Sequence, residues 1–470
     1  MKFVIYDIVL LVLFAVFIST FLYIKRKNLK KEGLLFLYKT SWGIKLINYV
    51  GNKYKRTLKV LSYVSIGLGY CLMLAMFYLV YSILKIYLFR PDVVSTIKVP
   101  PIMPLIPYID KIVPGLPAFY FTYWIIILAL IAITHEFAHG IFAAYNKVKI
   151  KTTGFGFFPF FLPVFLAAFV ELDEKEMAKK SKISQMAVLS AGTFANILTA
   201  ILFFGVMWLF FSFAFTPMGV EFNTYSYSVI EIAGISLLNG VPLSNPSYEK
   251  VFSLIDNQSL NEIEVGGKKY AGIKGFSGDL IYIALYDDAP AVNAELKGAI
   301  TEINNVKIDS WEGLRRELLK YSPGEEITLR TIIDEEFKEY TIVLTEHSED
   351  ENLPWLGIGF EDYRSSRIMG KIYNAFSSFK KPNVYYEPKF DGISLFIYNL
   401  LWWIILICIS VALINMLPAG IFDGGRFFYL TMLAITKSKK KSQYIFTYLT
   451  YFFLFLLLLL MVFWVLSFFR

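Results

Sequence analysis

Apolar residues in this chain come in long unbroken runs rather than in the short alternations of a soluble protein. A helix rises about 1.5 Å per residue, so about 20 mainly apolar residues cross the hydrocarbon of a bilayer. Six stretches reach that length: Phe3 to Ile24, Leu58 to Phe89, Ala118 to Tyr145, Ile183 to Phe215, Ile393 to Leu417 and Tyr444 to Phe469. Each is predicted as a spanning helix. A further run, Phe155 to Val170, is broken by Pro159 and Pro163 and is too short to cross. It is predicted as a re-entrant or interfacial hairpin, which is tolerated where backbone packs on protein or lines a cavity. Phe3 to Ile24 has no small-residue cleavage site, and basic residues follow rather than precede it. It is therefore read as a retained span and not a signal peptide.

From Pro217 to Pro388 the pattern changes to charges of both signs, Gly, Asn and short alternations. This segment reads as a globular α+β domain inserted between the fourth and fifth spans. Within it Ile235-Ser-Leu-Leu-Asn-Gly-Val-Pro-Leu243 parallels Ile300-Thr-Glu-Ile-Asn-Asn-Val-Lys-Ile308, each followed by a helical pattern. The pair is either an internal repeat or two unrelated strand–turn–helix pieces. The expected fold is a polytopic α-helical membrane protein of about six spans plus a membrane hairpin, with this insert. Its parts are residues 1–117 (two spans and their loops), 118–216, 217–388 (the insert) and 389–470.

Composition agrees. Of 470 residues 56% are hydrophobic and 18% charged, against about 25% charged in soluble domains, so a purely soluble enzyme is excluded. The net charge of +8 could suggest nucleic acid, but its distribution argues otherwise. Basic runs lie at Lys25 to Lys31, Lys53 to Arg56, Lys147 to Lys151, Lys179 to Lys182 and Lys437 to Lys441. Threading six spans with the N-terminus outside puts all five in the cytoplasm and the insert outside, as the positive-inside rule requires. The partners expected are therefore the lipid bilayer and membrane proteins, with no nucleic acid. Two cysteines, Cys71 and Cys408, both in apolar runs, exclude a disulfide framework.

The chemistry is concentrated in the third run, which contains His135-Glu136-Phe137-Ala138-His139. Positions i and i+4 share a helix face, so both imidazoles can reach one ion with Glu136 beside them. The whole chain has three histidines, and two fall on one turn of an otherwise apolar helix. An ionisable group at mid-bilayer costs about 2.5–3.5 kcal/mol on insertion scales, and a metal ion offsets that cost for all three together. The alternative is that His135 and His139 only bond backbone carbonyls in the bundle.

Catalytic zinc takes three protein ligands and leaves one position open. His347, in the insert, is too remote. Asp423, in Asn415-Met-Leu-Pro-Ala-Gly-Ile-Phe-Asp-Gly-Gly425, is the best candidate, being the only acidic residue after Asp391. It follows a span that starts outside, so like the histidines it lies in the cytoplasmic half. Pro418, Gly420, Gly424 and Gly425 would break the helix there. Asp423 could instead simply cap a helix, and Glu171 is the next candidate ligand.

HExxH within a span, a downstream Asn-x-x-Pro-x-x-x-x-Asp-Gly-Gly and an insert between them resemble the site-2 protease family of intramembrane zinc metalloproteases. Ala191-Gly-Thr-Phe-Ala-Asn196 is similar to the family's Ala-Gly-Pro-x-x-Asn element, with Thr193 in place of proline, and Phe169-Val-Glu-Leu-Asp-Glu174 resembles the stretch after its membrane hairpin. The first two spans lie outside this resemblance. In the insert, Asp288 to Gly298, Ile303-Asn-Asn-Val306, Trp311 to Leu319, Ser322-Pro-Gly-Glu-Glu326 and Leu356-Gly-Ile-Gly-Phe360 resemble a bacterial-type PDZ domain, single or tandem.

The resemblance implies one Zn²⁺ per chain held by His135, His139 and Asp423, with Glu136 as general base in peptide-bond hydrolysis within or near transmembrane segments. It also implies single-span substrates already trimmed by another protease, screened by the PDZ-like insert. A substrate helix must unwind before attack, and Asn196 and Asn415 are polar groups that could bind its freed backbone; the alternative for either is an interhelical hydrogen bond. Two other functions compete with this one. A proteolytically inactive zinc-binding scaffold would not need Glu136. A metal transporter would be expected to show paired inverted repeats, which the sequence lacks.

Overall fold

The fold was established in a computed structural model. It describes residues 2–32, 35–90, 94, 100–101, 103, 105–113, 115–157, 166–256, 260–276, 281–333, 336–347, 350–360 and 378–467. The chain divides into two compact units, one formed by 1–210 with 395–470 and the other by 211–394.

Among the described residues six helices are long and apolar enough to cross a membrane. They are α1 (Lys2–Lys25), α3 (Lys55–Phe89), α4 (Phe121–Tyr145), α6 (Lys182–Ala214), α10 (Asp391–Asn415) and α12 (Lys439–Leu466). Shorter helices are α2 (Ile44–Lys53) and α5 (Glu174–Lys179), then α7 (Tyr248–Leu254), α8 (Pro290–Asn293) and α9 (Trp311–Leu318) in the second unit, and α11 (Asp423–Thr436).

The first unit also contains a four-stranded antiparallel sheet in the order β1 (Leu29–Glu32), β2 (Leu35–Thr40), β3 (Ile150–Phe157) and β4 (Leu166–Leu172). The two ends of the proline-broken run are therefore strands, paired Phe155 with Ala168 and Gly154 with Phe169. Residues 158–165, including Pro159 and Pro163, lie outside the described residues. Strands β1 and β2 join this hairpin from the segment after α1, Tyr38 pairing with Phe155. Lys39 crosses β3 to reach Glu171 at 2.6 Å, and Thr152 donates to the same carboxylate at 2.7 Å. Those two hydrogen bonds hold the Glu171 carboxyl below the usual carboxylate range.

Three contacts tie the N-terminal elements to the helices that carry the histidines and their neighbours. Helix α2, one face of which is apolar, packs on α4 through small residues: a Cβ on Gly51 would meet Ala144 and the Ile141 carbonyl, and one on Gly140 would meet Ile47. Close backbone approach of this kind is how helices associate without a hydrophobic driving force. Helix α3 presents Ser65 to Ser190 of α6 at 3.1 Å, and Gly69 leaves room for Met416 and Phe427.

The third contact is electrostatic. Asp7, the one acidic residue of α1, is only 2% exposed. Its carboxylate accepts the backbone N–H groups of Phe121 (2.7 Å) and Thr122 (2.9 Å), the Thr122 hydroxyl (2.5 Å) and the Tyr108 hydroxyl (2.7 Å). Phe121 and Thr122 open α4, whose own preceding residue, Tyr120, supplies no side-chain cap. A carboxylate from another helix thus satisfies donors that every helix start leaves orphaned, at the positive end of the helix dipole.

The second unit holds two six-stranded sheets. Strands β5 (Phe215–Glu221) and β6 (Thr224–Tyr225) precede β7 (Tyr227–Glu231), β8 (Ile235–Leu238), β9 (Val241–Pro242), β10 (Ile263–Val265), β11 (Lys268–Phe276) and β12 (Tyr282–Asp287). Then come β13 (Ala299–Ile303), β14 (Val306–Lys307), β15 (Glu326–Ile333), β16 (Glu336–Val343), β17 (Thr345–His347), β18 (Asp350–Trp355), β19 (Ile358–Gly359) and β20 (Val384–Pro388). One sheet runs β7-β12-β11-β10-β8-β9; the other runs β16-β15-β13-β5-β20 with β14 on β13.

The two similar sequence segments fold alike. Each is a tight hairpin turning through residues at positive φ, Asn239-Gly240 in one and Asn304-Asn305 in the other. In both, the first Asn bonds one later residue twice, Glu262 just before β10 or Thr328 in β15: Asn239 N–H to Glu262 O and Glu262 N–H to Asn239 Oδ1, Asn304 N–H to Thr328 O and Thr328 N–H to Asn304 Oδ1. A serine then caps the following helix, Ser247 for α7 and Ser310 for α9.

The Asp7 cap yields a direct expectation. Asp7→Ala should cost the first unit about 2–4 kcal/mol, combining a lost N-cap with buried donors left unpaired. The readout is the unfolding midpoint in detergent; an unchanged midpoint would show that the carboxylate does not anchor α4.

Candidate metal centre

Helix α4 places His135 and His139 one turn apart, with their Nε2 atoms 3.0 Å from each other. Asp423, the first residue of α11, brings Oδ2 to 3.3 Å from His139 Nε2 and 3.6 Å from His135 Nε2. The potential ligand atoms of these three residues all lie within 4.8 Å of one another. Asp423 is held there by the backbone turn before it. A Cβ on Gly424 would overlap the Met416 carbonyl, and one on Gly425 would overlap Ala419. Only glycine lets α11 start so close to that turn. Phe427, fully buried and 4.9 Å from the Tyr70 ring, fixes the helix one turn further on.

Helix α6 forms the remaining wall, with every fourth residue used. The Val188 carbonyl stands 2.7 Å from His139 Nδ1. A carbonyl only accepts, so Nδ1 carries the proton and Nε2 of the neutral ring presents a lone pair. Asn196, fully buried, sets its carboxamide 3.0 Å from His135 Nδ1. Its Oδ1 has no partner as placed. Turning the amide by 180°, which exchanges O and N at nearly the same positions, lets Oδ1 accept from His135 Nδ1–H and leaves the second Nε2 lone pair free. Between them sits Gly192, where a Cβ would lie 2.5 Å from His135 Nε2 and against His139 Nε2.

Two nitrogen lone pairs and a carboxylate oxygen facing one point repel one another unless a cation joins them. Separations of 3.0, 3.3 and 3.6 Å match the edges, about 3.3–3.4 Å, of a tetrahedron with zinc-type bonds of about 2.0–2.1 Å. The donor set, two imidazoles and a carboxylate, is also one that catalytic zinc uses. The residues fit the ion. His135, His139 and Asp423 would hold it, with Val188 and Asn196 orienting the rings from behind.

Glu136, next to His135 on α4, turns toward the sheet. Its Oε2 accepts the Val170 backbone N–H at 2.9 Å. Among the described residues β4 is the end strand of its sheet and pairs with β3 alone, so this N–H lies on the edge away from β3, and the carboxylate stands between that edge and the histidines.

The two asparagines part company. Asn196 is engaged with His135, whereas Asn415, at the end of α10, is half-buried and makes no side-chain hydrogen bond to the described residues. Glu171 is engaged by Lys39 and Thr152, and His347 lies on β17 of the other unit. Sequence reasoning missed the Val188, Gly192, Asn196 face of α6 as a histidine-orienting surface, although its i, i+4, i+8 spacing was there to read. It missed Asp7 and the Glu136–Val170 contact as well, neither of which has a local signal.

Residues 123–460 match the model of Peptidase family M50. Among curated proteins, an uncharacterized protein of Methanocaldococcus jannaschii is 34% identical over 174 residues, 36% of this chain and 42% of that protein. The zinc metalloprotease RasP of Shouchella clausii is 24% identical over 192 residues, 36% of this chain and 46% of that protein. The chain thus spans less than half the length of either relative.

Metal content tests the site. Asp423→Ala should strip most of the zinc from purified protein. Asn196→Ala, which leaves all three ligands intact, should weaken zinc about 10–100-fold, the usual effect of losing a group that orients a ligand. Competition with a zinc chelator measures both; full affinity in Asn196→Ala would show that the amide does not orient His135.

Proposed function

The chain belongs to peptidase family M50, and from that premise we propose that it is an intramembrane zinc metalloprotease, cutting peptide bonds within or near transmembrane segments of single-span membrane proteins. One observation carries the reading. Glu136, a carboxylate with no ligand role, lies between the His135–His139–Asp423 cluster and the open edge of a β-strand.

That arrangement suits peptide hydrolysis. A spanning helix hides its carbonyls in its own hydrogen bonds, so a substrate must be extended before attack. Among the described residues no strand pairs with the outer edge of β4, which offers an extended segment backbone partners, and Asn415, close in sequence to Asp423, has a carboxamide without a hydrogen bond to the described residues for another. Zinc, when bound, supplies a Lewis acid that polarises the peptide carbonyl and makes water acidic enough to lose a proton near neutral pH. Glu136 takes that proton at its carboxylate and delivers one to the departing amine. His139 and His135 keep their Nδ1 protons on Val188 and Asn196 throughout, which holds their Nε2 atoms toward the ion.

In the proposed orientation the N-terminus and residues 217–388 lie outside and the five basic clusters lie in the cytoplasm. The 217–388 segment, with its PDZ-like pattern, would admit substrates already shortened outside by another protease. This role rests on resemblance alone.

The deciding experiment is cleavage of a tagged single-span substrate in liposomes. Glu136→Gln should cut at least about a hundredfold more slowly while zinc stays near one per chain, and unimpaired cutting would sink the proposed role. A single cysteine placed in the 217–388 segment should react with an impermeant reagent added outside intact cells. Labelling only after the cells are opened would reverse the topology.

A further inference from the structure

We propose that Trp42, Phe137 and Phe169 build the subsite for an aliphatic side chain of the substrate residue next to the scissile bond. The inference rests on the proteolytic reading above and assigns specificity within it.

A crevice opens directly beside Glu136, between α4 and the β2–β4 part of the sheet. Its walls are the rings of Trp42, Phe137, Phe155 and Phe169 with the small side chain of Ala132, and among the described residues Glu136 is the only charged one lining it. An apolar recess bounded by one carboxylate accepts an uncharged aliphatic group and disfavours an acidic one, which would be desolvated and face Glu136. The recess also lies where a substrate strand would bring a side chain. A segment extended along the open edge of β4, with one carbonyl near Glu136, sends alternate side chains to opposite faces of the sheet. A neighbour of the reacting residue therefore turns toward α4 and the crevice.

The walls are built in advance of any ligand. The Trp42 and Phe137 rings stand 5.6 Å apart. Gly43, at φ +82°, carries no Cβ that would meet the Phe137 ring. Gly154 likewise gives way to Phe169, whose ring a Cβ there would meet at 2.7 Å. The Thr153 hydroxyl donates to the Trp42 carbonyl at 2.6 Å and lies 3.1 Å from the Thr40 hydroxyl, pinning the loop after β2 to β3. Trp42 itself is 61% exposed, so its ring lines the crevice without being part of a packed core.

Thr40, Trp42 and Gly43 precede the 123–460 match to the peptidase family. One wall of the subsite is thus contributed by the N-terminal segment of this chain, so its preference at this position need not be that of other family members.

The test uses the full-length protein in liposomes and single-span substrates carrying Leu, Ala or Asp at each position flanking the cleavage site. At one flank the wild type should favour Leu over Ala by about tenfold or more in kcat/KM, the discrimination typical of an apolar pocket for added methylenes, and Asp should be poorest. Trp42→Ala should flatten the Leu-to-Ala ratio at that flank and no other, and Trp42→Phe should largely restore it. Zinc content and unfolding midpoint confirm that each variant is folded and loaded. An unchanged ratio in loaded Trp42→Ala, with substrates still being cut, would overturn the subsite. A wild type that cuts none of the substrates would overturn the proteolytic reading itself, and the subsite with it.

Discussion

Placing two imidazoles and a carboxylate inside an apolar bundle is unfavourable unless every polar atom has a partner, and much of the first unit can be understood from that constraint. His139 and His135 satisfy their Nδ1 atoms on α6, at Val188 and Asn196, so that both Nε2 atoms meet Asp423 across 3.0–3.6 Å. Among the described residues no donor remains for that point, and a divalent cation is the chemically sensible occupant. Glycines do the spatial part. Gly192 lets α6 approach the rings, and Gly424 and Gly425 let α11 begin against its own preceding turn. A methyl group at Gly192 would collide with the two imidazoles, and one at Gly424 or Gly425 with the backbone of the turn that sets Asp423 in place.

Elements outside the family match pack on the helices that build this centre. Asp7 of α1 caps the helix that carries HExxH, α2 packs on the same helix through Gly51 and Gly140, and β1–β2 widen the hairpin into a four-stranded sheet. Helix α3 joins α6 and α11 through Ser65 and Gly69. The described residues before the family match are thus part of the same packed unit as the metal ligands, and they supply the cap of α4 and part of a wall beside Glu136.

The parts of the candidate site that could be read from the chain were those with short-range signatures. His135, Glu136 and His139 stand out because five consecutive residues on one helix fix their relative positions. Asp423 could be argued only from the scarcity of other acids and from depth, and Glu171 remained a rival until the sheet showed it paired with Lys39. Asn196 was legible as a polar group in an apolar span but not as the partner of His135, since nothing local says which neighbour a helix face will meet. Asp7 and Val170 were invisible for the same reason: each acts on a residue that folding alone brings near.

The sequence by itself determined the six long apolar helices, the asymmetry of basic loops, the strand–turn–helix pieces of the insert and the pair of histidines on one turn. All of these follow from periodicity, length and composition within a short window, where the covalent chain sets geometry. Only the tertiary structure decided which carboxylate joins the histidines, which amide turns toward an imidazole, which strand edge faces Glu136 and which aromatic rings stand beside it. Those are contacts between segments far apart in the chain, fixed by how closely helices and strands can approach, and that depends on small residues whose importance shows only once their neighbours are in place.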